Sequence, residues 1–103
     1  MDFEKLTKEE MIAYWNEVSS DIEECLVLCG SAVPNDLALS VRESLSHNEL
    51  GIALEILIDA SIDNGLPIDR EAKLKLLETL IKMGYQEDEP LQFQSYEKWL
   101  VSI

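Results

Sequence analysis

The chain is short of positive charge. Eight lysines and arginines stand against 21 aspartates and glutamates in 103 residues, with one histidine, for a formal net charge of −13. Solubility of a small domain needs only about 2 to 8 units. The excess repels nucleic acid and anionic membranes, lowers stability through self-repulsion, and speeds encounter with a basic partner. Direct binding of DNA or RNA is therefore not expected, and a basic protein partner is.

Long apolar runs are also missing. No stretch approaches the roughly 18 residues that a bilayer-spanning helix needs, so no membrane association is expected. The opening Met1-Asp2-Phe3-Glu4-Lys5 has no basic region leading into an apolar one, unlike a secretory leader. Cysteines number two, Cys25 and Cys29. They lie four apart on one predicted helix, where a disulfide would constrain almost nothing, and read as small core residues in a reducing compartment. The expected location is cytoplasmic.

The residue types of common catalytic and metal sites are equally sparse. A lone His47, without partner histidines or nearby cysteines, does not make a zinc site. Asp59-x-Ser61-x-Asp63 faintly resembles a calcium loop, but Asn64 stands where glycine is needed and Arg70 where the bidentate glutamate belongs. There is no glycine-rich phosphate loop, nucleophile elbow or Cys/His nucleophile arrangement. No cofactor, no metal and no enzymatic activity are expected.

What is present is helical periodicity. Thr7-Lys8-Glu9-Glu10 has the capping-box pattern. Met11, Trp15, Val18, Ile22, Cys25 and Cys29 then recur at steps of four and three, a core-facing seam that predicts one long helix ending at a left-handed Gly30. Ser31 to Asn35 reads as a turn, with Asn35 capping a short second helix marked by Leu37, Val41 and Leu45. A third helix runs from about Asn48 to Asn64, its buried face being Leu50, Ala53, Leu54, Leu57, Ile58 and Ile62. Ile52 and Ile56 widen that face, and Gly65 ends it. Asp69 caps a fourth helix with Leu74, Leu77, Leu80 and Ile81 inward, Leu76 alongside and Gly84 at its end. After an acidic break at Glu87-Asp88-Glu89-Pro90, the tail residues Phe93, Tyr96, Trp99, Leu100 and Ile103 predict a short docked helix. With no β-type alternation and no internal repeat, the expected fold is all-α. It is a single-domain bundle of four main helices plus a short C-terminal helix over residues 1–103.

Two acidic stripes are the candidate partner-binding residues. On the first helix Glu10, Glu17, Asp21 and Glu24 share a sector beside the core seam, joined by Tyr14, which the spacing places outside that seam. On the third, Glu55, Asp59 and Asp63 fall at i, i+4 and i+8, a like-charge spacing that costs a few tenths of a kcal/mol per pair. Carboxylates around an aromatic suit the rim and anchor of a protein interface.

The third-helix segment also carries a resemblance. Glu49, Gly51, Ala53, Leu54, Glu55 and Asp59, followed by Gly65, Pro67 and Ile68 and a leucine-rich helix, resemble the MafI-type immunity proteins of bacterial polymorphic toxin and contact-dependent inhibition systems. The likeness covers about residues 41–83. It departs at Leu50, where the pattern has an aromatic, and at Ile58, where it has Cys. The resemblance implies an antitoxin: a small helical protein that neutralises one cognate toxin C-terminal domain, often a nuclease, inside the producing cell. A nuclease cleft is basic, and an acidic protein can plug it. Because Glu55 and Asp59 belong to the family pattern, they have a second expected role, capping or bridging elements within the fold. The alternative function is an acidic helical adaptor or regulator holding a peptide or helix in an apolar groove. A homodimer through the third helix or the aromatic tail is compatible with either.

Overall fold

The computed structural model describes residues 6–101. Among them there is no strand, and the elements follow as α1 (Lys8–Cys29), a 3-10 turn (Gly30–Ala32), α2 (Asn35–Ser46), α3 (Leu50–Asp63), α4 (Arg70–Lys82), α5 (Tyr85–Asp88) and α6 (Pro90–Leu100). The all-α class is as expected. The count differs at the C-terminus: in place of one short helix there is a one-turn α5 and an eleven-residue α6. Glu87 and Asp88, read as an acidic break, are helical in α5, and the chain turns at Glu89. Pro90 then opens α6 because a first helical residue needs no N–H partner and its ring presets φ. Ile103 and the first five residues lie outside the described residues.

Local chemistry explains most boundaries. The Thr7 hydroxyl accepts from the Glu10 N–H at 3.1 Å, and the Thr7 N–H donates to the Glu10 carboxylate at 3.3 Å, completing the capping box. Asp69 accepts from the Ala72 N–H at 2.9 Å. At the end of α3, Gly65 sits at φ +57, with its N–H on the Ile62 carbonyl and the Leu66 N–H on the Ser61 carbonyl. That is a Schellman closure. Asn48, at φ +58, does the same for α2, since asparagine tolerates the left-handed region better than most residues. Asn35, however, is not the α2 cap: Pro34 holds that position without a side-chain bond, and Asn35 is the first helical residue. Gly30 has the expected positive φ, but its ψ of −134 leads into the 3-10 turn rather than a left-handed closure.

One core joins α1 through α6, centred on Val18, Ile22, Leu54, Leu57, Ile58, Leu76 and Leu80. Three faces differ from expectation. On α3 Ile52 stays half exposed, and Ser61 is buried while Ile62 is only partly so. On α4 the buried residues are Ala72, Leu76, Thr79 and Leu80, whereas Leu74 and Ile81 are about half exposed. Small side chains explain the rotation. Cys25 Sγ lies 3.8 Å from Thr79 Oγ1, so α1 and α4 approach closely where neither carries a bulky residue. Thr79 and Ser61 are buried without penalty because each hydroxyl donates to the carbonyl four residues back. On α1, Tyr14 is buried and Trp15 only partly so, the reverse of their expected places.

Candidate functional site

The α1 stripe faces α4. Lys82 Nζ lies 2.7 Å from Asp21 and 3.1 Å from Glu17. Lys75 Nζ lies 3.4 Å from Asp21, 3.3 Å from Glu24 and 3.9 Å from Glu78. Asp21, with its side chain 15% exposed, is held between both ammonium groups. Its burial works to raise the carboxyl pKa, but the hydrogen bond and charge of Lys82, with those of Lys75, outweigh it and bring it below the ordinary value. Lys82 titrates above its usual range because it donates to Asp21 and Glu17. Tyr14 belongs to the same seam: its O–H donates to the Lys82 backbone carbonyl at 3.1 Å, one of the free carbonyls of the last α4 turn. The expectation that Tyr14 stands outside the core as an anchor is corrected. Its ring fills the α1–α4 flank.

The α3 stripe faces the tail. Tyr85 donates to Glu55 Oε2 at 2.8 Å, and the Gln92 amide donates to Glu55 Oε1 at 2.6 Å. Gln92 also reaches the Tyr96 oxygen at 3.1 Å, while Tyr96 donates to Asp59 Oδ1 at 2.7 Å. Burial and then the neighbouring carboxylates, Glu55 for Tyr85 and Asp59 for Tyr96, push both phenols well above their ordinary pKa. The glycine of the motif has a place here too. A Cβ on Gly51 would come 3.2 Å from the Tyr85 oxygen, so the bare backbone admits the ring that Glu55 holds. Bridging within the fold is thus what Glu55 and Asp59 visibly do. Asp63 does not share that role, because each i+4 step turns 40° further around the helix and carries the third member of the stripe out to solvent.

The eight candidates therefore divide. Tyr14 and Asp21 lie in the α1–α4 seam with Glu17 and Glu24 on the lysines at its exposed edge, Glu55 and Asp59 hold the tail, Glu10 closes the α1 cap, and Asp63 faces outward. The two stripes do not make one surface, since different elements answer them. Sequence reasoning missed the residues that answer: Lys75 and Lys82 on α4, then Tyr85, Gln92 and Tyr96. A usable signal existed, because Gln92 and Tyr96 repeat the i, i+4 spacing of Glu55 and Asp59.

A further feature lies on the other flank of α3. Between α2 and α3 run two open depressions that share Ser40. One, of about 530 Å³, is lined by Pro34, Asp36, Leu37, Ser40, Ala60, Asn64 and Leu66. The other, of about 430 Å³, is lined by Ser40, Glu43, Ser44, His47, Glu49 and Ile56. His47 Nδ1 rests 3.0 Å from the Glu43 carbonyl oxygen. The nearest cation in sequence, Arg42, turns to the far side of α2, where it lies 3.4 Å from Glu23 of α1.

The cysteines are both free and buried, and burial raises the thiols to about 12 for Cys25 and about 11 for Cys29. Thiols so protonated are poor nucleophiles. Among the described residues no group of three or more His, Cys, Asp or Glu is placed to hold a metal, and no helix is long and apolar enough to cross a membrane. No family model, no curated protein and no solved structure matches this chain.

Proposed function

We propose that this protein is an immunity-type inhibitor that binds and neutralises a basic toxin domain, a nuclease being the best fit, by stoichiometric and electrostatically complementary docking. The observation that carries the proposal is the charge imbalance of 21 acids against 8 bases. Its supports are the outward placement of Glu10, Glu17 and Glu24 on α1, of Asp63 on α3, and of Asp36 and Glu43 on α2. Even where lysines intervene, acids prevail: in the α1–α4 seam the two ammonium groups of Lys75 and Lys82 meet four carboxylates, Glu17, Asp21, Glu24 and Glu78. Such a surface concentrates a cationic partner and raises its association rate by roughly 10- to 1000-fold at low salt. The resemblance of the α3 segment to MafI-type immunity proteins points to the same class of partner and to action in the cytoplasm.

The test is to mix the protein with the toxin-like domain encoded beside its gene and measure association and residual toxic activity at low and high salt. The expected result is a one-to-one complex that abolishes activity and whose association slows about tenfold or more as salt is raised. A correctly folded domain that does not bind overturns the proposal. Binding indifferent to salt favours the adaptor function, in which charge serves solubility alone.

A further inference from the structure

Removing the acids that the chain answers internally leaves the α2–α3 groove as its best-built recognition surface. Glu55 and Asp59 accept from tyrosines, and Asp21 is held by two lysines. Along the groove the lining is different. The first depression is apolar at Leu37, Ala60 and Leu66 with Asp36 beside them, and the second, beyond the shared Ser40, is polar, with Glu43 and Glu49 and a single apolar residue, Ile56. No lysine or arginine lines either depression. Helix α2 buries Val41 fully and packs Leu37, Ala38 and Leu45 partly against the core.

We propose that this groove receives an amphipathic helix of the basic partner, with one or two apolar side chains seated on the Leu37–Ala60–Leu66 floor and flanking lysines or arginines meeting Asp36 and Glu43. The dimensions suit that occupant. Asp36 to the C-cap His47 is eleven residue steps, roughly 16 Å at 1.5 Å each, enough for about three turns of a partner helix. The two depressions meet at Ser40, so a single helix laid along α2 passes over both. Charge selects the cation-bearing helix over an acidic or neutral one. The inference rests on the proposed basic partner and assigns the surface that meets it.

The experiment uses the full chain, labelled for amide NMR, titrated with the neighbouring toxin-like domain and separately with a synthetic helical peptide. The peptide has about twelve residues, with two leucines four apart on one face and lysines on both flanks. Expected are shifts centred on Leu37, Ser40 and Ala60 with both ligands. Ser40→Trp, which fills an exposed part of the groove, should weaken both by about tenfold or more, while Glu71→Lys, a larger charge change on α4, should weaken them by less than about threefold. A paired Asp36→Asn/Glu43→Gln variant, which adds no bulk, should weaken binding and flatten its salt dependence if Ser40→Trp perturbs the fold. Domain binding that maps to α1 and α4 and ignores Ser40→Trp overturns the groove and leaves the inhibitor function standing. Peptide binding in the groove without domain binding supports the groove and overturns the toxin partner. Binding of neither, or self-association through the groove alone, overturns the proposal.

Discussion

At the scale of single residues, the hydrogen bonds of an acidic side chain in this protein tell whether the fold itself uses it. Glu55 and Asp59 together accept three bonds, at 2.8, 2.6 and 2.7 Å, from Tyr85, Gln92 and Tyr96. Bonds to a charged acceptor contribute about 1.5–3 kcal/mol each. Tyr96→Phe should destabilise the protein by about 1 kcal/mol in urea unfolding, through loss of the bond itself, since water can reach the exposed Asp59. Asp59→Asn should cost less on the Tyr96→Phe background than on the wild type, giving a coupling energy of about 1 kcal/mol in a double-mutant cycle. Additive effects would mean that the Tyr96–Asp59 bond contributes nothing. Reversing Glu55 or Asp59 to lysine would first undock α5 and α6, so these positions are poor probes of partner contact. Asp36, Glu43 and Asp63, all exposed, are better ones.

At the scale of elements, the α1–α4 seam is a charge clasp with a defined pH window. Asp21 has a folded pKa depressed below 3.8, so its contribution is present above that value and is lost as pH falls through the folded one. Lys75 and Lys82 are raised above 10.5: burial opposes the rise for Lys75 but its carboxylate partners prevail, and bonds to Asp21 and Glu17 lead for Lys82. Their contribution is present below 10.5 and is lost as pH climbs through the folded values. The stability difference between wild type and Asp21→Asn should therefore be level across the neutral range. It should shrink on the acid side below about pH 4 and again on the alkaline side above about pH 10. Chemical denaturation of both proteins across pH reads this directly, and a difference constant to pH 2 would show that the clasp is not ionic. The clasp binds α4 to α1, and the tyrosine–carboxylate bonds bind the tail to α3, so each outer element is fastened by a polar set as well as by the core.

For the molecule as a whole, repulsion among 21 acids outweighs the few close ion pairs. Salt screens exposed charges over about 10 Å at 0.1 M, which weakens repulsion spread across the surface more than it weakens the short contacts of Asp21. Raising salt from roughly 0.02 to 0.5 M should therefore raise the thermal midpoint of the free protein, by several degrees for a chain of this size. The same salt should slow capture of a basic partner. Opposite signs for stability and association are the outcome expected of the electrostatic docking proposed above. A midpoint that falls with salt would instead make the close pairs the dominant electrostatic contribution.

The four main helices, the Thr7, Asp69 and Gly65 boundaries and the all-α class were written in the sequence, because capping boxes, left-handed glycines and 3.6-residue periodicity act within a few residues of one another. Asn35 and Gly30, by contrast, did not close their helices as expected. The Thr7–Glu10 box, the Gly65 closure and the Leu50, Ala53, Leu54, Leu57 and Ile58 part of the α3 core face needed nothing from elsewhere in the chain. The length of the C-terminal helix was not legible, since the helical turn at Tyr85 depends on its ring docking against Gly51 and Glu55. Nor were the buried face of α4 and the burial of Tyr14, which follow from how closely Cys25 and Thr79 let two distant helices approach. The acidic stripes were visible, but their tasks were not. Charge and spacing are properties of the chain, whereas the partner of a carboxylate is whichever group folding brings within about 3 Å. For Asp21 and Glu55 those groups stand 61 and 37 residues away, at Lys82 and Gln92.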